Sequence, residues 1–139
     1  MIWIGYALLS AVFAAAVAIL AKIGLKNIDA TLATTIRAVV MAIFLLAATA
    51  MLQKFSLIKT VSNQTLTFII FSGIAGALSW LFYFLAIKYG PVTGVAALDR
   101  LSVVFVVILA AIFLGEALTL KSISGLIILV LGALLLVWK

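Results

Sequence analysis

Five apolar runs, at residues 2–21, 30–52, 66–87, 92–114 and 122–138, constrain this chain more than anything else in it. Each is about the length an α-helix needs to cross a hydrocarbon core of roughly 30 Å at about 1.5 Å per residue. Lipid offers no water to a backbone N–H or C=O, so a spanning segment either bonds internally as a helix or joins a closed barrel. Barrel strands are about half as long and alternate polar with apolar side chains, and these runs do not alternate. Composition agrees: 69% of the 139 residues are hydrophobic and 9% are charged, against about 45–50% and 25% in water-soluble domains. The predicted fold is an all-α integral membrane protein of five transmembrane helices, a single domain over residues 1–139, multi-pass in the cell inner membrane. Connections are short, and Gly90-Pro91 stops one helix and starts the next. The first run lacks a basic leader and is too long for a signal peptide, so it is expected to stay, with the chain beginning at Met1.

Several chemistries are absent from the outset. The chain has no cysteine and no histidine, which removes disulfides, Cys/His metal sites, histidine-ligated haem, a Ser-His-Asp triad and a histidine proton relay. No metal, no cofactor and no enzymatic activity are expected. Any proton chemistry falls to Asp29, Asp99 or Glu116, and Glu116, in the segment LGEAL just past the fourth span, reads as a helix-end or loop contact. The net charge of +6 would suggest nucleic acid in a soluble protein. Here most lysines lie at span ends, where they anchor to lipid headgroups, and no nucleic-acid partner is expected.

Folding the spans up and down brings the ends of spans 1 and 3 and the starts of spans 2 and 4 to one face. Arg37 and Asp99 each lie about two turns inside that face, at the same depth of roughly 10 Å. Trp80, about two turns before the end of span 3, reaches the same layer, with Tyr83 one turn nearer the surface on the same side. An acid alone at that depth costs about 2.5–3.5 kcal/mol, so Asp99 should pair, protonate or face a cavity. Arg37 is the expected partner. On a continuous helix Arg100 is rotated about 100° from Asp99, whereas Ser102 shares its side. Two readings of this layer stand together: a structural clamp between spans 2 and 4, with Arg100 snorkelling to the face, or a solute or coupling-ion site. Trp80 and Tyr83 are likewise either packing aromatics or a cavity wall.

Residues 20–40 and 85–104 echo each other: Leu-Ala, a basic turn with Gly, then Arg followed by Val-Val, with Arg37 aligning to Arg100. Small residues form stripes at Ala11, Ala14, Ala15 and Ala18 on span 1 and at Ser72, Gly73, Gly76 and Ser79 on span 3. Such stripes let helix backbones approach, and both are expected to pack within the chain. On span 5, Gly125 and Gly132 share a face and are candidates for a contact between subunits.

The stretch SGIAGALSWLFYFLAIKYGPVTGVAALDRLSVVFVVILAAIFLGEALTLKSISGLIILVLGALLLV resembles the C-terminal part of an EamA-type domain of the drug/metabolite transporter superfamily. LAKIGLKNIDATLATTIRAVV and DRLSVVF are similar to its single-domain, five-span bacterial and archaeal branch. The resemblance covers nearly the whole chain and rests on the order and spacing of these segments. Two positions depart from the pattern. Many two-domain relatives carry Glu-Pro where Ser102-Val103 stand, so their substrate class does not transfer. The five-span branch often has a proline near Ala97, so a kink in span 4 is not implied.

The resemblance implies a half-size drug/metabolite transporter fold, with spans 1 to 4 lining the path of a small metabolite and span 5 as scaffold. Larger relatives look like two five-span halves in opposite orientation, so a single half implies an antiparallel homodimer with alternating access. The lysines nearly permit both orientations: Lys22, Lys26, Lys88 and Lys139 at one face, Lys54, Lys59 and Lys121 at the other. Arg37 and Arg100 tip the balance toward a cytoplasmic location for the first face. The expected function is secondary transport of a small polar metabolite, with proton or ion coupling. Candidate site residues are Arg37, Trp80, Tyr83, Asp99, Arg100 and Ser102. Two arginines against one acid lean toward a carboxylate-bearing or zwitterionic solute. The alternative is a non-transporting membrane scaffold or a subunit of a hetero-oligomeric membrane complex, whose charged layer would be filled by side chains. A small multidrug exporter is disfavoured because span 1 carries no acid.

Overall fold

A computed structural model describes residues 1–138, all in helices and their connections, with no strand among them. The α-helices are α1 (Ile2–Gly24), α2 (Ala30–Met51), α3 (Asn63–Tyr89), α4 (Val92–Asp99), α5 (Ser102–Phe113) and α6 (Leu120–Val137). With α4 and α5 taken as one span, five helical segments are long and apolar enough to cross a membrane. Large apolar side chains stand open along them, among them Phe44, Phe82 and Ile128. Lipid tails are the medium in which so much apolar surface is stable.

Local chemistry sets the helix ends. Asp29 caps α2, its carboxylate oxygen accepting from the N–H groups of Thr31 at 2.8 Å and Leu32 at 3.1 Å, which satisfies donors that the first turn leaves open. The second helix closes at Gln53, in the left-handed region at φ 54°. A 3-10 turn over Lys54–Thr60 then follows, within a connection whose sequence reads as loop. Ser62 accepts from the Thr65 N–H at 3.2 Å and so starts α3 at Asn63. That is one turn before the apolar run, which marks only the lipid-facing part of the helix. At the end of α5, both Leu114 and Glu116 donate their N–H to the Ala110 carbonyl, at 2.9 and 3.3 Å. Gly115, at φ +68°, makes that closure without the backbone strain another residue would carry there.

Span 4 is broken. Arg100 and Leu101 separate α4 from α5, and the bonds Arg100 N to Ala97 O, Leu101 N to Leu98 O, Val103 N to Arg100 O and Val104 N to Leu101 O each close over three residues. The sequence predicted one uninterrupted helix and gave no proline to interrupt it. The structure tightens the helix into a 3-10 turn at the only adjacent pair of opposite charges in the spans. In such a turn residues three apart eclipse, so Asp99 and Ser102 still share a side.

The chain divides into two compact units, Met1–Lys22 with Tyr89–Lys139, and Ile23–Lys88. In the first, α4 lies against α6. Gly94, Ala97 and Ala133 are buried, and a Cβ at Gly94 would stand 3.4 Å from Pro91 Cγ and 3.8 Å from Val137 Cγ2. Small residues let these two backbones approach. Lys22 Nζ ties the end of α1 to the Gly90 carbonyl at 2.9 Å. In the second unit, Leu25, Ala30, Phe84 and Ile87 are buried, and Lys88 Nζ donates to the Ile28 carbonyl at 3.2 Å.

Candidate functional site

The second unit holds a cavity of about 740 Å³ between α2 and α3. From α2 it takes Thr31, Thr34, Thr35, Ala38, Met41, Ala42 and Leu45, one side of a helix at three- and four-residue spacing, with Arg37 beside them. From α3 it takes Gly73, Gly76, Ala77, Trp80 and Leu81, again a single helical face. A Cβ built at Gly73 or Gly76 would meet nothing within 4 Å. The small-residue stripe on span 3, expected to serve close helix packing, thus opens a trough at these two positions.

Arg37 is the charged member of this lining. Its guanidinium carbon lies 3.6 Å from the centroid of the Trp80 ring and 5.6 Å from that of Phe84. Trp80 is braced in turn by edge contacts with Tyr83 at 5.5 Å and Phe84 at 6.1 Å between ring centroids. Phe84 is buried and anchors the group. The rings face the cation with their negative quadrupole faces and so hold it without neutralising it. Within its unit Arg37 makes no hydrogen bond or ion pair, and its five N–H donors are available to a ligand.

The threonines are differently committed. Thr34 Oγ1 donates to the Ala30 carbonyl at 2.8 Å and Thr35 Oγ1 to that of Thr31 at 2.9 Å. Their hydroxyl protons are spent on the helix backbone, and what they show the cavity is methyl groups and acceptor lone pairs. The cavity therefore has a cationic, donor-rich corner at Arg37 and an apolar body. No carboxylate lines it. Its lining contains no general base.

The other sequence-predicted residues lie in the first unit. Asp99 ends α4, Arg100 sits in the 3-10 turn at φ −66° and ψ −15°, and Ser102 begins α5. All three are exposed. Asp29 is removed from the proton-carrying candidates. The Leu32 N–H holds its carboxyl below the usual value; desolvation opposes this, and the Thr31 N–H, the Lys88 charge and the Thr31 hydroxyl add lesser help, so it stays ionised as a helix cap. Glu116 occupies the turn after α5, at a helix end as its sequence context suggests. On α6, Gly125 and Gly132 have nothing within 4 Å of a built Cβ. Tyr83 stands behind Trp80, outside the lining. Sequence reasoning picked out Arg37 and Trp80 but missed Thr31, Thr34, Thr35, Met41 and Leu45 as cavity wall. Their three- and four-residue spacing about Arg37 was the signal.

Comparison with known proteins adds to this geometry. The model of the EamA-like transporter family matches residues 1–138. An "uncharacterized transporter in cobO 3'region" of Sinorhizobium sp is 42% identical over 134 residues, 96% of this chain and 95% of that protein. A pseudopaline exporter of Pseudomonas aeruginosa is 36% identical over 76 residues, 55% of this chain and 27% of the exporter. No solved structure matches.

Proposed function

The chain belongs to the EamA-like transporter family, and we propose that it is a secondary transporter of a small polar metabolite in the cell inner membrane. One five-span domain is the protomer, and two protomers in opposite orientation form the working unit. The observation that carries this reading is the cavity of about 740 Å³ with Arg37 on its wall, a volume within the roughly 300–1,000 Å³ typical of small-molecule sites. A scaffold whose charged layer is packed shut has no use for such a space.

Arg37 and Trp80, with Tyr83 bracing the Trp80 ring, then form the solute-facing side of the α2–α3 site; Asp99, Arg100 and Ser102, at the break in span 4, are the proposed gate and coupling group. Gly125 and Gly132 lie at the contact between protomers. The test is a solute screen on purified protein in liposomes, with and without a pH gradient. Saturable uptake above that of protein-free vesicles is expected for at least one solute class, and uptake of none would remove the transport reading.

A further inference from the structure

The chemistry of the α2–α3 cavity is asymmetric enough to say what class of molecule fits it. Charge comes first. The lining carries one cation, Arg37, and no acid. Within the unit the guanidinium has only ring faces against it. A buried or half-buried charge in an apolar span gains most from one opposite charge, and a dianion would leave a new surplus behind. A single negative charge is the complement.

The place of that charge follows from the hydroxyls. With Thr34 and Thr35 donating to Ala30 and Thr31, their oxygens present lone pairs and repel an anionic head. The head is left to Arg37, whose planar fork matches two oxygens of one carboxylate or phosphodiester. Away from Arg37 the wall is Met41, Leu45 and Leu81 with the bare backbone of Gly73 and Gly76. That wall offers nothing to a hydrated polar body and buries an apolar one.

We propose that the α2–α3 cavity binds organic monoanions with an apolar body, the head on the Arg37 guanidinium and the body in the trough at Gly73 and Gly76. This rests on the reading of the cavity as a solute site and specifies the solute further, as one whose polar part is a singly charged head and whose body is apolar. Two sources share this chemistry, a free monocarboxylate and an anionic phospholipid.

Fluorescence of Trp80 reports on the site directly. Trp3 and Trp138 are exposed, and the full chain carrying Trp3→Phe and Trp138→Phe keeps Trp80 as its single tryptophan. In phosphatidylcholine nanodiscs, phenylacetate should change that fluorescence saturably, and phenylacetamide, equal in shape but neutral, should bind at least tenfold more weakly. Acetate, which lacks the body, should be similarly weak. Arg37→Gln should lower phenylacetate affinity at least tenfold and leave phenylacetamide unchanged. A Cβ at Gly76 would meet nothing within 4 Å, and Gly76→Val should weaken both by filling the trough, with helical content by circular dichroism as the check on folding. Adding phosphatidylglycerol tests the second source. A phosphatidylglycerol-dependent signal displaced by phenylacetate assigns the same site to lipid, and no competition leaves it to free solute.

Equal binding of acid and amide, an unchanged phenylacetate affinity in Arg37→Gln, or no saturable response to either anion would overturn the proposal. Counterflow in liposomes separates this from the transport reading. Phenylacetate binding with no solute moved sinks transport and keeps the site. Transport of some other solute, undiminished in Arg37→Gln, does the reverse.

Discussion

The guanidinium carbon of Arg37 stands 3.6 Å from the centre of the Trp80 ring, so within its unit a cation in an apolar span is supported by aromatic faces. Such support fixes a charge in position and leaves its electrostatic demand unmet, because a ring quadrupole attracts a cation without cancelling it. A structural arginine ends in acceptors. Arg37 keeps its donors, which suits the proposed ligand-binding role.

Removing the ring should therefore weaken anion binding without removing the anion partner. A desolvated cation–π contact is worth about 0.5–2 kcal/mol, which corresponds to roughly 2- to 30-fold in affinity. Trp80→Ala should lower phenylacetate affinity within that range by calorimetry, and Trp80→Phe should recover part of the loss. An unaltered affinity in Trp80→Ala would show that Arg37 does not depend on the ring.

The Asp29 cap carries its own pH dependence. Its carboxyl titrates lower in the folded chain than in the unfolded one, chiefly because the charged form accepts the Leu32 N–H. A depressed acid contributes stability above its unfolded value, and that contribution is lost as pH falls through the folded value. Asp29→Asn caps without a charge and has no such dependence. The wild-type chain should melt higher than Asp29→Asn at neutral pH, with the difference shrinking below roughly pH 4. A difference that stays constant down to about pH 3 would remove Asp29 as an ionised cap.

The five spans were legible because length and unbroken apolarity are themselves the physical constraint lipid imposes. Arg37 and Trp80 were legible by depth, since counting residues along two spans places their side chains in one layer. Two features were not. The break at Arg100-Leu101 lacks proline or glycine, and the tightening of hydrogen bonds from four residues to three leaves no compositional mark. The role of Gly73 and Gly76 was misread for a different reason: a small residue permits either a close neighbour or an empty space, and only the placement of α2 decides between them. The early start of α3 could have been read from Ser62, whose hydroxyl is a capping group three residues before Thr65.

Antiparallel pairing predicts a dual signal. Lysines at the two faces are close to balanced along the sequence, and Lys139 among them lies outside the described residues. A reporter fused after Lys139 should report from both sides of the membrane in comparable amounts. Removing two lysines from one face, Lys54→Gln with Lys59→Gln, should bias it toward one side. A signal from a single side in the unaltered chain would exclude the antiparallel homodimer and favour a partner chain of opposite orientation.

The Arg37–Asp99 pairing expected from the sequence predicts a rescue by exchange. Each single reversal, Arg37→Asp or Asp99→Arg, leaves two like charges at one depth in an apolar span and should abolish transport. The double reversal restores opposite charges and should recover folded protein and at least a tenth of the transport rate. No gain over the single variants would mean that the two residues act apart.

Asp99 stands where α4 stops and the 3-10 turn begins, and that position joins a titratable group to a hinge. Short 3-10 stretches inside a span allow the two halves to change their relative angle at small cost, because their hydrogen bonds are already weaker than α-helical ones. Protonation of a carboxyl at such a point removes a charge that burial penalises and so favours the state in which the acid is enclosed. In the proposed coupling, solute at Arg37 and a proton on Asp99 favour the same conformational state of the carrier. Solute and proton then bias one equilibrium, which is the condition for coupling, since a ligand shifts a population only through unequal affinity for its states. Asp99→Asn mimics the protonated acid permanently. It should fold, retain solute exchange across liposomes at a rate within a fewfold of wild type, and lose the response of uptake to an imposed pH gradient. Gradient-driven uptake at the wild-type rate in Asp99→Asn, at equal expression, would place coupling elsewhere and leave the break in span 4 a hinge without a switch.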